Sequence, residues 1–185
     1  MSSPFESHDA PFGELIVIDG RLPDIDALIA ATKPHQHVLV ISPGADGLRA
    51  LAEFVQPLQG LSAIHVLSHG APGVVLLGAS KLTAESLPGD SALWGQIRIA
   101  LLPDAELLLY GCNVAEGDKG RALMAGLAAT LGARVAASDD ATGSLAMQGD
   151  WMLEQSTGVI RTAALQADLY QAVLAAITGT PDADT

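Results

Sequence analysis

The chain has 185 residues, of which 49% are apolar and only 16% are charged, a composition that excludes a disordered chain or a coiled coil. Nine lysines and arginines against 21 aspartates and glutamates give a net charge of −12. This charge repels phosphate backbones, so we expect no nucleic-acid partner. No apolar run reaches the roughly 18 residues of a membrane-spanning helix, so we expect no membrane insertion.

The chain is predicted to hold one domain, because its length falls within the usual range for one. We expect a flexible N-terminal segment over residues 1–12 and a single α/β domain over residues 13–177. The small, polar and acidic residues 178–185 are typical of the start of a linker. The first residues lack the basic and apolar regions of a signal peptide.

Five short, mostly apolar runs predict strands that are covered on both faces, as in a parallel sheet. They are residues 14–18, 37–41, 62–67, 105–110 and 133–137.

Segments in which apolar residues recur at helical spacing lie between most of these runs, and each predicted helix has its own start signal. Pro23 is expected in a first helical turn, and Asp46 and Asp118 are expected as N-caps. Residues 73–82, around Gly78, predict a β-hairpin.

Two predictions concern the last part of the chain. Residues 144–160 are interpreted as a second pair of strands around Gly149. Apolar residues at four-residue spacing, Leu165, Leu169, Val173 and Ile177, predict a final helix over residues 162–177.

Together these elements predict an open, mainly parallel α/β sheet with helices on both faces and extra hairpins. Ligands of such folds bind beyond the carboxyl ends of the strands. The loops to inspect therefore begin at Asp19, Ser42, Ser68, Gly111 and Ser138.

Several common chemistries have no sequence support. The chain lacks the dinucleotide-binding, P-loop, zinc-protease, paired-cysteine and serine-hydrolase motifs. His35 and His37 form an H-x-H pair, but zinc needs three or four ligands, so we interpret them as edge histidines. We expect no metal and no cofactor.

His69 and Cys112 each follow an apolar strand and are the remaining candidates for chemistry. A cysteine becomes a nucleophile when a base or a positive field generates the thiolate, and a histidine can be that base. The N–H groups of Gly70 and Cys112 could then stabilise an oxyanion. From the residues alone, a lone cysteine in this context is more often a small buried residue.

Two sequence blocks resemble the caspase-like (clan CD) cysteine peptidases: AIHVLSHG (63–70) and AELLLYGC (105–112). The closer resemblance is to the DUF4347 domain, a family of unknown function found in very large bacterial surface or secreted proteins. It rests on LIVIDGRLPD (15–24), IHVLSHG (64–70), LLLYGCNVAEGDKG (107–120), AASDDATGS (136–144) and GDWMLE (149–154).

The resemblance implies that Cys112 is the nucleophile and His69 the general base. Gly70 and Cys112 would supply the oxyanion N–H groups. Asp19, Ser68, Asn113 and Asp140 are candidates for orienting His69 or lining a substrate pocket, although capping of a loop or helix explains an aspartate equally well.

The sequence departs from the members of the clan that cleave after Arg or Lys. These often carry an acidic residue two positions before the cysteine, where this chain has Tyr110, so the primary specificity stays open.

Two functions follow as hypotheses. The first is a cysteine endopeptidase that cuts few sites in a peptide or protein substrate, including its own parent chain. The second is a catalytically silent head domain for export, anchoring or partner binding in a large repeat adhesin. The resemblance implies a secreted or cell-surface location as part of a larger protein, and the sequence leaves the oligomeric state open.

Overall fold

The computed structural model describes residues 13–174, which contain nine strands and four α-helices. The strands are β1 Gly13–Asp19, β2 Gln36–Ile41, β3 Leu61–Leu67, β4 Gly70–Ala71, β5 Val74–Leu77, β6 Ser80–Leu82, β7 Leu101–Tyr110, β8 Arg134–Ala137 and β9 Gln155–Ser156. The helices are α1 Ile25–Ala30, α2 Gly47–Val55, α3 Ser91–Ala100 and α4 Gly117–Leu131. The segments predicted over residues 1–12 and 178–185 lie outside the described residues.

The main sheet has six strands in the order β2-β1-β3-β7-β8-β9, and the first five run parallel. These five are the strands predicted from the apolar runs, so the α/β fold class is confirmed. The chain runs from β1 outward to β2 and then returns to the other side of β1 as β3. In open α/β sheets, ligand sites form at the carboxyl ends of the strands beside such a reversal.

The two faces of the sheet are covered differently. Alternate residues of each strand point to opposite faces, so Leu15 and Val17 face one layer while Ile16 and Ile18 face the other. The first layer contains α2, α3 and α4, which bury their apolar residues against the sheet. The second contains α1 and, apart from the two residues of β9, an irregular segment over residues 151–174.

The helix predicted over residues 162–177 is wrong for its described part, because residues 162–174 contain no helix. Leu165 and Leu174 are buried, whereas Leu169 is 72% exposed, so the four-residue spacing does not mark one buried face. Backbone N–H groups of Arg161, Thr162 and Leu165 donate instead to side chains of the sheet. Ile177 lies outside the described residues.

The second strand pair, predicted over residues 144–160, is also wrong. Leu145–Met147 forms a 3-10 turn, and β9 pairs antiparallel with β8 instead of with a neighbour in its own segment. The edge of β8 would otherwise present unpaired backbone groups, which β9 and the Thr157 hydroxyl partly satisfy. The hairpin predicted around Gly78 is confirmed as β5 and β6.

Only one of the three helix start signals has the predicted role. Asp46 caps α2 by accepting a hydrogen bond from the Arg49 N–H. The N-cap of α4 is Glu116, and Asp118 lies in the first turn, where its charge suits the positive end of the helix. Pro23 lies before the N-cap of α1, Asp24, instead of inside the helix.

Helix α3 was not predicted. It buries Trp94, Ile97 and Ala100 at three-residue spacing, a stripe too narrow and too short to recognise in the sequence. None of the helices within residues 13–174 is long and apolar enough to cross a membrane.

Candidate functional site

The loops that carry His69 and Cys112 lie side by side. They follow β3 and β7, whose last residues, Leu67 and Tyr110, are paired in the parallel register. The Ser68 N–H extends this pairing by donating to the Tyr110 carbonyl oxygen at 3.1 Å. The sequence prediction that both loops share one sheet edge is therefore confirmed.

Gly70 allows the two loops to touch. A Cβ atom at this position would lie 2.5 Å from Val114 Cγ2 and 2.9 Å from the Cys112 carbonyl oxygen, closer than real Cβ atoms approach other atoms. The His69-Gly70 turn can therefore pack on the Cys112 peptide only without a side chain at position 70.

The His69 backbone is fixed within this turn. Its carbonyl oxygen accepts hydrogen bonds from the Leu76 N–H and the Ser68 hydroxyl, both at 3.1 Å. Ser68 is buried, and His69 is half-buried. Ser68 therefore supports the turn that carries the predicted base.

The Cys112 side chain is covered in this structure. Only 2% of the residue is exposed, and its Sγ lies 3.9 Å from the Thr142 carbonyl oxygen. Burial raises the pKa of the Cys112 thiol, and the negative charge of Asp140 adds to the increase. These surroundings therefore favour the neutral thiol.

The residues that cover Cys112 are 172–174, which we call the strap. The Cys112 N–H donates to the Leu174 carbonyl oxygen at 3.4 Å, and the Leu174 N–H donates to the Thr142 carbonyl oxygen at 2.8 Å. The Ser144 N–H donates to the Ala172 carbonyl oxygen at 2.8 Å. The strap thus runs antiparallel to residues 142–144, with its last described carbonyl group on Cys112.

Asp19, predicted to orient His69 or line a pocket, is fully buried at the end of β1. Its carboxylate accepts hydrogen bonds from the Arg21 backbone, the Arg21 guanidinium and the Gly78 N–H. Burial alone would raise the pKa of Asp19, but these hydrogen bonds outweigh it and the pKa is lowered. Asp19 therefore connects the β5–β6 hairpin to the sheet.

Asn113 and Asp140 join the loops after β7 and β8. The Asn113 N–H donates to the Asp140 carbonyl oxygen at 2.8 Å, and its side-chain amide donates to Glu116 and to the Asp139 carbonyl oxygen. Asn113 has a φ of 62°, a left-handed conformation that asparagine tolerates well. These contacts shape the loop around Cys112 and leave a substrate role as a prediction.

Comparison with protein-family models identifies the family of this chain. The model of the domain of unknown function DUF4347 matches residues 15–175, which is most of the chain. The chain belongs to the DUF4347 family. No curated protein matches it.

Sequence reasoning missed the part of this DUF4347 domain that surrounds the thiol. Cys112 belongs to a buried cluster with Trp151, Tyr170 and Leu174, in which the Trp151 and Tyr170 rings meet edge to face at 5.9 Å. Burial raises the pKa of Tyr170 to about 12, so its phenol stays neutral. A groove of about 440 Å³, lined in part by Trp151 and Tyr170, opens beside the strap.

Two sequence motifs contribute residues to the surroundings of Cys112. The motifs AASDDATGS and GDWMLE contain Thr142, Gly143 and Trp151, and both motifs belong to the family resemblance. Their chemical meaning depends on the strap, which approaches from a distant part of the sequence.

Within residues 13–174, one cluster of three acidic residues has the spacing of a possible cation site. Asp140, Asp150 and Glu154 have carboxylate oxygens within 4.8 Å of one another. Asp150 and Glu154 already accept hydrogen bonds from the N–H groups of Met152 and Asp139, so these carboxylates serve the loop itself. His35 and His37 are exposed near the start of β2 and do not belong to this group.

Proposed function

We propose that this domain is a cysteine endopeptidase with a caspase-like fold, in which Cys112 is the nucleophile and His69 the general base. It would act on few sites, including sites in its own parent chain. The observation that carries the proposal is the hydrogen bond from the Cys112 N–H to a peptide carbonyl oxygen, that of Leu174. A backbone N–H at the nucleophile that binds a peptide carbonyl group is what an oxyanion site requires.

The surroundings of the site support the proposal further. The turn that carries His69 packs on the Cys112 peptide through Gly70, at adjacent strand ends. A histidine there would accept the thiol proton and later donate it to the leaving amine. Gly70 would provide a second N–H for the oxyanion.

The setting of the domain belongs to the same proposal. The family resemblance implies a large bacterial surface or secreted protein as the parent chain. The net charge of −12 is compatible with a protein that meets peptides instead of nucleic acid.

A second candidate is a catalytically silent head domain for export, anchoring or partner binding in a large adhesin. One observation favours it: Cys112 is 2% exposed, and burial raises the pKa of its thiol. A silent domain would keep this thiol covered and unreactive under all conditions.

Cleavage of the parent protein distinguishes the two candidates. We expect the wild-type protein to release defined fragments, Cys112→Ala to release none, and His69→Ala to cut about 10²–10⁴-fold more slowly because a general base is lost. His35→Ala, at an exposed histidine near the start of β2, is the matched control and should cut like the wild type. Identical fragments from wild type and Cys112→Ala, on gels and by mass spectrometry, would reject the peptidase.

Thiol labelling is an independent test of the two candidate functions. In the peptidase, Cys112 reacts with iodoacetamide near pH 6 faster than a free cysteine peptide once the strap is displaced, because His69 supports the thiolate. In the silent domain, it reacts more slowly than that peptide throughout.

A further inference from the structure

The strap has the form of a bound peptide. Val173 forms an antiparallel bridge with Gly143, with backbone hydrogen bonds on both sides: Ser144 N–H to the Ala172 carbonyl oxygen and Leu174 N–H to the Thr142 carbonyl oxygen. Adding a strand to an exposed backbone edge is a common mode of peptide recognition. A third hydrogen bond places the Leu174 carbonyl oxygen on the Cys112 N–H.

We propose that the strap is the enzyme's own substrate, bound in cis, and that the peptide bond after Leu174 is the one that Cys112 cuts. The site therefore selects an extended peptide with an apolar side chain at the residue whose carbonyl group Cys112 holds. This inference rests on the proposed peptidase activity and specifies its substrate.

Thr142 brings the nucleophile and the peptide together. Its carbonyl oxygen accepts the Leu174 N–H at 2.8 Å and lies 3.9 Å from Cys112 Sγ. The Leu174 backbone is therefore held at both its N–H and its carbonyl oxygen by groups that adjoin the thiol. Holding a peptide group in a fixed position beside a nucleophile is one way in which enzymes accelerate its attack.

Gly143 makes room for a peptide at this edge. Its φ is 137°, and a Cβ atom there would lie 2.5 Å from the Ala172 carbonyl oxygen and 2.7 Å from Val173 Cα. The close backbone contact therefore depends on the absence of a side chain at position 143. A glycine at this place favours pairing with any extended peptide, because the contact is to backbone alone.

The Leu174 side chain explains the expected specificity. It is fully buried in the apolar cluster that contains Cys112, Trp151 and Tyr170. A charged side chain in this position would lose its hydration without gaining a partner. Two places before the cysteine, where clan members that cleave after Arg or Lys often carry an acidic residue, this chain has Tyr110, which is buried in the same cluster.

The reaction is balanced within the chain and water. His69 takes the proton of the thiol as Cys112 Sγ attacks the Leu174 carbonyl carbon. The bond between Leu174 and the nitrogen of the next residue breaks, and that nitrogen receives the proton from His69. Water then adds to the thioester carbonyl and the S–C bond breaks. One proton of the water returns to Cys112, and the other is released to solvent as Leu174 becomes a carboxylate.

Intact-mass measurement of the 185-residue chain during incubation tests this inference. We expect a new product that ends at Leu174, absent in Cys112→Ala. Leu174→Ala should be cut at least about tenfold more slowly, because the apolar pocket loses several carbons of its ligand. Leu127→Ala is the matched control: Leu127 is buried in the cluster on the other face of the sheet, so the variant also loses a buried leucine, but it should be cut at the wild-type rate.

A fluorogenic peptide, acetyl-Ala-Val-Leu-aminomethylcoumarin, separates this inference from the proposed function. A Cys112-dependent cut at another bond, or hydrolysis of this peptide without any cut after Leu174, overturns the cis substrate and leaves the peptidase standing. The absence of Cys112-dependent cleavage in the chain, its parent and the peptide overturns both. Equal slowing in Leu174→Ala and Leu127→Ala overturns the specificity of the Leu174 position.

Discussion

At the scale of single residues, a buried polar chain runs through the sheet beside the site. The Tyr110 hydroxyl accepts a hydrogen bond from the Leu165 N–H at 2.8 Å and lies 3.1 Å from His65 Nδ1. The hydroxyl and Nδ1 share one proton in this contact, and the other ring nitrogen, Nε2, lies 3.5 Å from the Glu14 carboxylate. The three side chains connect the N-terminal strand to the segment that ends in the strap.

Tyr110→Phe should lower the free energy of unfolding by about 1–3 kcal/mol, because it leaves the buried Leu165 N–H and His65 Nδ1 without the hydroxyl. Tyr170→Phe is the matched control. The Tyr170 hydroxyl is buried and has no hydrogen-bond partner within residues 13–174, so its removal should leave stability unchanged or increase it. Urea unfolding measures both values, and equal losses in the two variants would contradict this account.

For single residues, the sequence predicts the place in the fold better than it predicts the burial and contacts of the side chain. The apolar strands before His69 and Cys112 predict their shared sheet edge, which the register of Leu67 with Tyr110 confirms. The burial of Cys112 could not be predicted, because it depends on Leu174, a residue far along the chain. Contacts of this range leave no periodic signal in a sequence.

At the scale of elements, the segment over residues 151–174 shows why periodicity failed. A helix satisfies its own backbone hydrogen bonds, whereas N–H groups of this irregular segment donate to acceptors on the sheet. Glu106 is 4% exposed, and its carboxylate accepts hydrogen bonds from the N–H groups of Arg161 and Thr162. Burial alone would raise the pKa of Glu106, but the hydrogen bonds outweigh it and the pKa is lowered.

Glu106→Gln should loosen this segment locally. The amide group places a donor where the carboxylate offers two acceptors, so hydrogen exchange of the Arg161 and Thr162 amides should accelerate about tenfold or more. Glu154→Gln, at an exposed carboxylate that accepts from the Asp139 N–H, should accelerate only Asp139. Unchanged exchange at residues 161 and 162 in Glu106→Gln would show that the segment is held by its apolar side chains.

At the scale of the whole molecule, the parallel sheet was predictable and its edges were not. Apolar runs covered on both faces indicate parallel strands because crossover helices must cover them. The antiparallel strand β9 has only two exposed residues and belongs to the sheet solely through its pairing with β8. The irregular cover of the second face likewise depends on acceptors such as Glu106, which lie on the sheet itself.

Three carboxylates on the main sheet make the stability of the whole molecule depend on pH. The hydrogen bond from His65 lowers the pKa of Glu14 from 4.5 to about 2, and the pKa values of Asp19 and Glu106 are lowered as well. A carboxyl group whose pKa is lower in the folded state stabilises the fold fully above its unfolded pKa. It loses that contribution as the pH falls towards the folded value.

The free energy of unfolding should therefore be insensitive to these three groups above about pH 5 and should fall between about pH 4.5 and 2. Glu14→Gln should lower the melting temperature at pH 7 and should reduce the difference from wild type as the pH approaches 3, because the wild-type contribution is then being lost. Glu53→Gln is the control, since Glu53 is exposed on α2 and its side chain makes no ion pair or hydrogen bond in the described part of the chain. Thermal unfolding followed by circular dichroism at half-unit pH steps measures the effect. If the difference in melting temperature between the wild type and Glu14→Gln stays constant from pH 7 to 3, Glu14 is excluded as a source of the pH dependence.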